Sequence, residues 1–193
     1  GTATDGAATP PALDSTMANA GDAITLSITA SEPIITPLVS IKGQPATVSG
    51  SGTSFTATYT VDAGQVSEGL VYILVEFEDL ASNSGADVLS VTDTSSVTVD
   101  LTAPTLSTMS IASSNTADST LANADDTITV TVTSSETIAT PYVLIAGQVA
   151  SVSGGSNSWT AVHVVTASDA VGVVSLLVSY EDLASNRGAN VTA

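Results

Sequence analysis

Asp100, Glu136, Asp182 and Asn186 are the side chains whose chemistry stands out, and that chemistry is binding of a hard divalent cation. Calcium takes six to eight oxygen ligands at about 2.3–2.6 Å, and carboxylates unaccompanied by basic residues suit it. The chain holds 19 acidic residues against two basic ones, Lys42 and Arg187, for a net charge of −17. A bound cation would offset that self-repulsion. No Asp-x-Asp-x-Asp-Gly run occurs, and Asp and Asn also serve as solvated turn formers that bond their own backbone. Catalytic chemistry has less to work with. Glu78 and Asp79 are neighbours, as are Glu181 and Asp182, but adjacent strand residues point to opposite faces. They cannot form the opposed carboxylate pair, about 5–9 Å apart, that glycoside hydrolysis requires. The single histidine, His163, shares a strand phase with Trp159 and Ala161 and reads as a partly buried core residue. The sequence therefore points away from an enzyme. Asn190-Val191-Thr192 is the one Asn-x-Ser/Thr sequon, which makes Asn190 a candidate glycan acceptor.

Composition excludes several partner classes. A polyanion with two basic residues cannot release counterions from phosphates, so nucleic acid is not expected. Anionic membranes would repel it as well, and no window approaches the roughly 18 apolar residues of a membrane span. Without cysteine there are no disulfides, thiol nucleophiles or cysteine-based zinc sites. A hydrophobic fraction of 43% over 193 residues is enough for packed cores. The chain opens on Gly1 without Met, as a piece of a longer protein would.

The elements that must position these residues occur twice. Asp22-Ala23-Ile24-Thr25-Leu26 returns as Asp126-Thr127-Ile128-Thr129-Val130, Gly43-Gln44 as Gly147-Gln148, and Phe55-Thr56-Ala57 as Trp159-Thr160-Ala161. Glu78-Asp79-Leu80-Ala81-Ser82-Asn83 returns as Glu181-Asp182-Leu183-Ala184-Ser185-Asn186, the offset having dropped by one residue. A period of this length describes tandem domains rather than a solenoid.

Within each copy, apolar residues alternate with threonine and serine: Ile24, Leu26 and Ile28; Val39 and Ile41; Phe55, Ala57, Tyr59 and Val61; Val71, Ile73, Val75 and Phe77; Val97 and Val99. This is the period of half-buried strands, and Gly, Pro, Asn and Asp clusters separate them. About seven short strands per copy predict an all-β protein of two tandem immunoglobulin-like β-sandwich domains, 1–100 and 101–193. A seven-strand Greek-key barrel is the alternative. The join at Val99-Asp100-Leu101-Thr102-Ala103-Pro104 contains a proline and should be short and stiff.

The Asp-x-Thr-Ala-Pro joint (Asp100 to Pro104), the Ser-Glu pairs (Ser31-Glu32, Ser135-Glu136) and the Trp-Thr-Ala run resemble tandem bacterial-type immunoglobulin-like repeats. The Asp-Leu-Ala-Ser-Asn loops at Asp79 and Asp182 are similar to that family's Asp-x-Ala-Gly-Asn turn, with serine in place of glycine. The resemblance implies large extracellular proteins: adhesin stalks, or filament subunits such as those of algal mastigonemes. It implies neighbouring copies or other surface subunits as partners, with glycans possible. In such a chain the joint should bring Asp100 towards Glu136, Asp182 and Asn186, with the loop of Asp62 and Glu68 nearby, which is the calcium expectation. Fifteen residues follow Gly85 up to and including Asp100, but only five follow Gly188. The second copy is thus expected to lack most of its last strand, which either a continuation of the chain or a neighbouring subunit would supply. The expected function is a semi-rigid spacer or building block. The alternatives are an adhesin module that binds carbohydrate or protein through its end loops, and an accessory domain of a carbohydrate-active enzyme.

Overall fold

The computed structural model describes residues 15–193, so the part of the first domain before Ser15 lies outside the described residues. These residues are all-β and fall into two compact units that meet between Leu101 and Thr102.

In the first unit, β1 (Met17–Ala18), β2 (Ala23–Thr29), β3 (Leu38–Ile41), β4 (Gln44–Pro45), β5 (Thr47–Ser51), β6 (Ser54–Thr60), β7 (Gly69–Leu70), β8 (Ile73–Glu76) and β9 (Thr98–Val99) make three short sheets. Their orders are β2-β6-β5, β4-β3-β8 and β1-β9-β7. The alternation read in the sequence is the inside–outside alternation of the strands. Phe55, Ala57 and Tyr59 of β6 are buried, and Ala57 and Tyr59 pack in one core with Ile24, Val39, Ile41, Val75 and Val99.

In the second unit, β10 (Leu106–Ser113), β11 (Thr127–Ser134), β12 (Tyr142–Ile145), β13 (Gln148–Val149), β14 (Ser151–Gly155), β15 (Ser158–Val164), β16 (Leu176–Ser179) and β17 (Val191–Thr192) make two four-stranded sheets. The orders are β10-β11-β15-β14 and β13-β12-β16-β17. Lettered along the chain, these are A-B-E-D and C′-C-F-G, the strand order of an immunoglobulin sandwich. Ile128, Val130 and Val132 of one sheet pack with Val143, Ile145, Leu176 and Val178 of the other. His163 and Trp159 lie half-buried on β15, as expected, and Trp159 packs against this core.

Two details depart from the sequence reading. Val71 to Phe77 does not form one continuous strand. The segment changes partner: β7 pairs with β9, whereas β8 pairs with β3. The second unit also has a short last strand, because β17 pairs with β16 and Ala193 exchanges both backbone hydrogen bonds with Leu176. The equivalent place in the first unit is the Val75–Val88 bridge, so β9 is a further strand beyond it. From the Val75–Val88 bridge to the Leu70–Thr98 pair one strand steps back five residues while the other advances ten, which leaves five extra residues in the loop before β9.

Candidate functional site

The residues singled out as oxygen donors fall in both units. Asp100 lies near the end of the first unit, directly after β9, where its N–H donates to the carbonyl of Ala18 (2.9 Å). Leu101 N–H donates to the Glu68 carboxylate (3.1 Å). Asp62, at the start of the same loop, accepts from Gly64 N–H (2.9 Å) and from the Gln65 amide (2.7 Å), which hold its carboxyl below the usual range.

Glu136, Asp182 and Asn186 belong to the second unit. Glu136 is half-buried in the loop between β11 and β12, and its carbonyl accepts from Ser134 Oγ (2.5 Å). Asp182 is 1% exposed and pairs with Ile138 across an isolated bridge, so the two loops lie at one end of the sandwich. Its Oδ1 accepts from Ala184 N–H (2.8 Å) and Asn186 N–H (2.9 Å), and its Oδ2 from the Asn186 amide (2.8 Å).

The first unit repeats this turn closely. Asp79 Oδ1 accepts from Ala81 and Asn83 N–H (2.8 Å each), and Oδ2 from the Asn83 amide (2.7 Å). The Asn83 side chain and then its N–H hold the Asp79 carboxyl below the usual range. Each turn needs one left-handed residue, and serine takes it: Ser82 at φ 66° and Ser185 at φ 70°. Glycine adopts that conformation without a Cβ penalty, which accounts for glycine at this place in the turn the loops resemble. A carboxylate offers about four lone-pair sites. The turn takes three of them in each copy.

His163 Nε2 lies 2.9 Å from Asp169 Oδ2, with both side chains largely buried. Asp169 also accepts from Thr166 N–H (2.7 Å), and these contacts depress its carboxyl, Thr166 more than His163. The pair stands where the first unit has Tyr59, whose hydroxyl accepts from Asp62 N–H (3.4 Å). Asn190 is exposed just before β17. Arg187 meets Glu181 at 3.3 Å on the surface, where such a pair contributes little.

Sequence reasoning counted Lys42 only as a charge, and its role is structural. It occupies the two-residue turn between β3 and β4 with Gly43, both at positive φ (56° and 77°), as a type I′ hairpin requires. Although only 8% exposed, Lys42 extends its Nζ to three carbonyls: Leu70 (2.8 Å), Gly69 (2.9 Å) and Glu68 (3.3 Å). The ammonium thereby clamps β7 to the hairpin, with the Tyr72 ring 5.8 Å away. Ala146 takes the same left-handed turn position in the second unit, at φ 54°.

No protein-family profile matches the chain, and no curated protein is similar to it. Among solved structures it resembles the fibronectin(III)-like modules of Clostridium thermocellum CbhA at 15% identity, covering 94% of this chain and 88% of that one, with a TM-score of 0.39. A tandem of titin Ig domains matches at 13% identity over 92% and 88% of the two chains, with a TM-score of 0.29. Rst D1-D2 matches at 10% identity over 93% of each, with a TM-score of 0.36. The immunoglobulin-like class rests on the sheet orders given above. Among the described residues no helix is long and apolar enough to cross a membrane, which says nothing of spans built from strands.

Proposed function

We propose that the chain is a non-catalytic structural segment of a long extracellular surface or filament protein, a semi-rigid spacer made of repeated sandwiches. The observation that carries the reading is the duplication down to single hydrogen bonds. Asp22 accepts from Asn19 N–H as Asp126 does from Asn123 N–H (2.9 and 2.7 Å), and the Asp79 and Asp182 turns match bond for bond. The carboxylates of Asp79 and Asp182 each brace their own turn. Repeated units of this kind add length without adding a reaction. The short proline joint supports stiffness, and the acidic, Ser/Thr-rich surface supports solubility in salty water.

Electron microscopy of the native material tests this reading. A row of similar beads would support it, and a discrete particle without lateral or end-to-end contacts would refute it. Calcium belongs to the proposal, with Asp100, Glu136, Asp182 and Asn186 as oxygen donors, on the strength of the net charge of −17 and the scarcity of competing cations. Calorimetric titration with CaCl2, repeated on Asp100→Asn and Glu136→Gln, should give heat only with the unaltered protein. Glycosylation of Asn190 is read by intact mass before and after glycosidase treatment.

The second reading, a module that binds carbohydrate or protein, is favoured by exposed rings: Tyr72 and Tyr142 are 59% and 43% exposed. Sugars stack on such rings, so a glycan array that loses its signal with Tyr142→Ala would select it.

A further inference from the structure

We infer that the outer face of the second unit's β12–β16 pair, where it meets the turn before β17, is a platform for a neutral sugar chain. The inference rests on the second reading above, the binding module, and narrows it to one ligand class and one face. Val143, Val178 and Tyr180 are buried in the core. Tyr142, Ser179 and Glu181, each one residue away, therefore stand on the opposite, outer face. Tyr142 is level with Ser179 across the β12–β16 pair, and Glu181 is level with Arg187 across an isolated bridge. Strands lie about 4.7–4.9 Å apart and residues two along a strand about 6.6–6.8 Å apart, so the four side chains share a patch of about 10 by 7 Å.

Each of the four supplies something that a pyranose uses. The exposed Tyr142 ring offers an apolar surface to the C–H side of a sugar. Arg187, 81% exposed, donates from a planar fork, and the Glu181 carboxylate accepts. Their ion pair engages the Nε of Arg187 and one oxygen of Glu181, which leaves the terminal amino groups and the second oxygen for sugar hydroxyls. Ser179 adds a hydroxyl beside the ring. The first unit shows that the fold does not require this set. By register and repeat its positions hold Leu38, Glu76, Glu78 and Ser84, so it has neither the ring nor the guanidinium. Charge selects the ligand. Glu181 already compensates Arg187, and a net charge of −17 repels uronic or sulfated polymers. The patch is also far smaller than the roughly 800 Å² per partner of a stable protein interface, which favours a sugar over a protein.

The test is affinity electrophoresis of the 193-residue protein in native gels cast with laminarin, galactomannan, xyloglucan or polygalacturonate. At least one of the three neutral polymers should retard it, and polygalacturonate should not. Tyr142→Leu and Arg187→Ser import the first unit's own residues, so both should fold with unchanged circular dichroism. Tyr142→Leu should weaken binding at least about tenfold and Arg187→Ser about fivefold, through loss of one ring contact and of one charged donor. Tyr142→Phe and Tyr72→Ala should bind as the unaltered protein does. Retardation that follows Tyr72, or that survives both Tyr142→Leu and Arg187→Ser, overturns the platform and leaves the module reading standing. So does retardation by polygalacturonate alone. No retardation by any of the four polymers overturns the platform together with the carbohydrate half of that reading.

Discussion

Replacing Lys42 by Met keeps the aliphatic stem and deletes the ammonium, which isolates the clamp on β7. Two short bonds and one longer one reach carbonyl oxygens, and a hydrogen bond involving a charged group contributes about 1.5–3 kcal/mol. The desolvation of a largely buried ammonium offsets part of that gain. The net loss on substitution is therefore about 2–4 kcal/mol, borne by the first unit. For a domain of this size each kcal/mol moves Tm by about 4–8 °C, so the first unit's transition should fall by roughly 8–32 °C. Differential scanning calorimetry reads this directly, with Ala146→Met as the matched control, which should move the second unit's transition by less than about 2 °C. Amide exchange at Val71 and Val99 should quicken selectively, because β7 and β9 lose their anchor together. Salt separates the clamp from mere charge balance. At 1 M ionic strength the screening length is about 3 Å, so a loss caused by repulsion in an acidic chain would vanish, whereas the hydrogen-bond loss would persist. A shift that disappears in 1 M NaCl, or one below about 2 °C in any buffer, would refute the reasoning.

Three further outcomes follow from the turns. At Gly154 (φ 138°) an added Cβ would sit 2.4 Å from the Ser158 carbonyl and 2.8 Å from Trp159 Cα, so Gly154→Ala should cost about 2–4 kcal/mol in urea unfolding. Ser185→Gly relieves a left-handed serine and should stabilise the second unit by about 0.5–1 kcal/mol in the same assay. The carboxyls of Asp62, Asp79, Asp93, Asp118 and Asp169 are all held below their ordinary 3.8 by hydrogen bonds. Their stabilisation is complete above that value and is lost as pH falls through the depressed folded values. Acidification from pH 7 first relieves repulsion in a chain of pI near 4.1, so Tm should rise, peak near pH 4–5 and then drop. A Tm that climbs all the way to pH 2 would contradict this.

The strands were legible because a half-buried strand writes its two faces directly into alternating residues such as Thr129-Val130-Thr131-Val132. The duplication made the assignment firmer, since an offset that holds for turns as well as strands fixes which elements correspond. Contacts between positions distant in sequence were not legible. Lys42 reaches carbonyls 26 to 28 residues away, and nothing local distinguishes it from a solvated lysine. The change of partner between β7 and β8 was hidden for the same reason: Val71 to Phe77 alternates without interruption, and only the arrival of β9 divides it. At the candidate site, the Asp79 and Asp182 motifs were visible. The bracing of their own turns was the plainer of two readings the residues offered, and the repeat makes it common to both units.

The parallel pairing of β1 with β9 has a mechanical consequence. Met17–Ala18 lies near the start of the first unit's described chain and Thr98–Val99 at its end, and the two run side by side in the same direction. Tension drawn along the chain pulls them in opposite senses along their length. The bonds from Thr98 to Thr16 and from Asp100 to Ala18 then carry the load simultaneously, in shear. An antiparallel hairpin pulled at its open end would instead unzip one bond at a time. The first unit should therefore resist stretching through this parallel seam, and rupture of the seam should be the abrupt, rate-limiting event when the sandwich is pulled open.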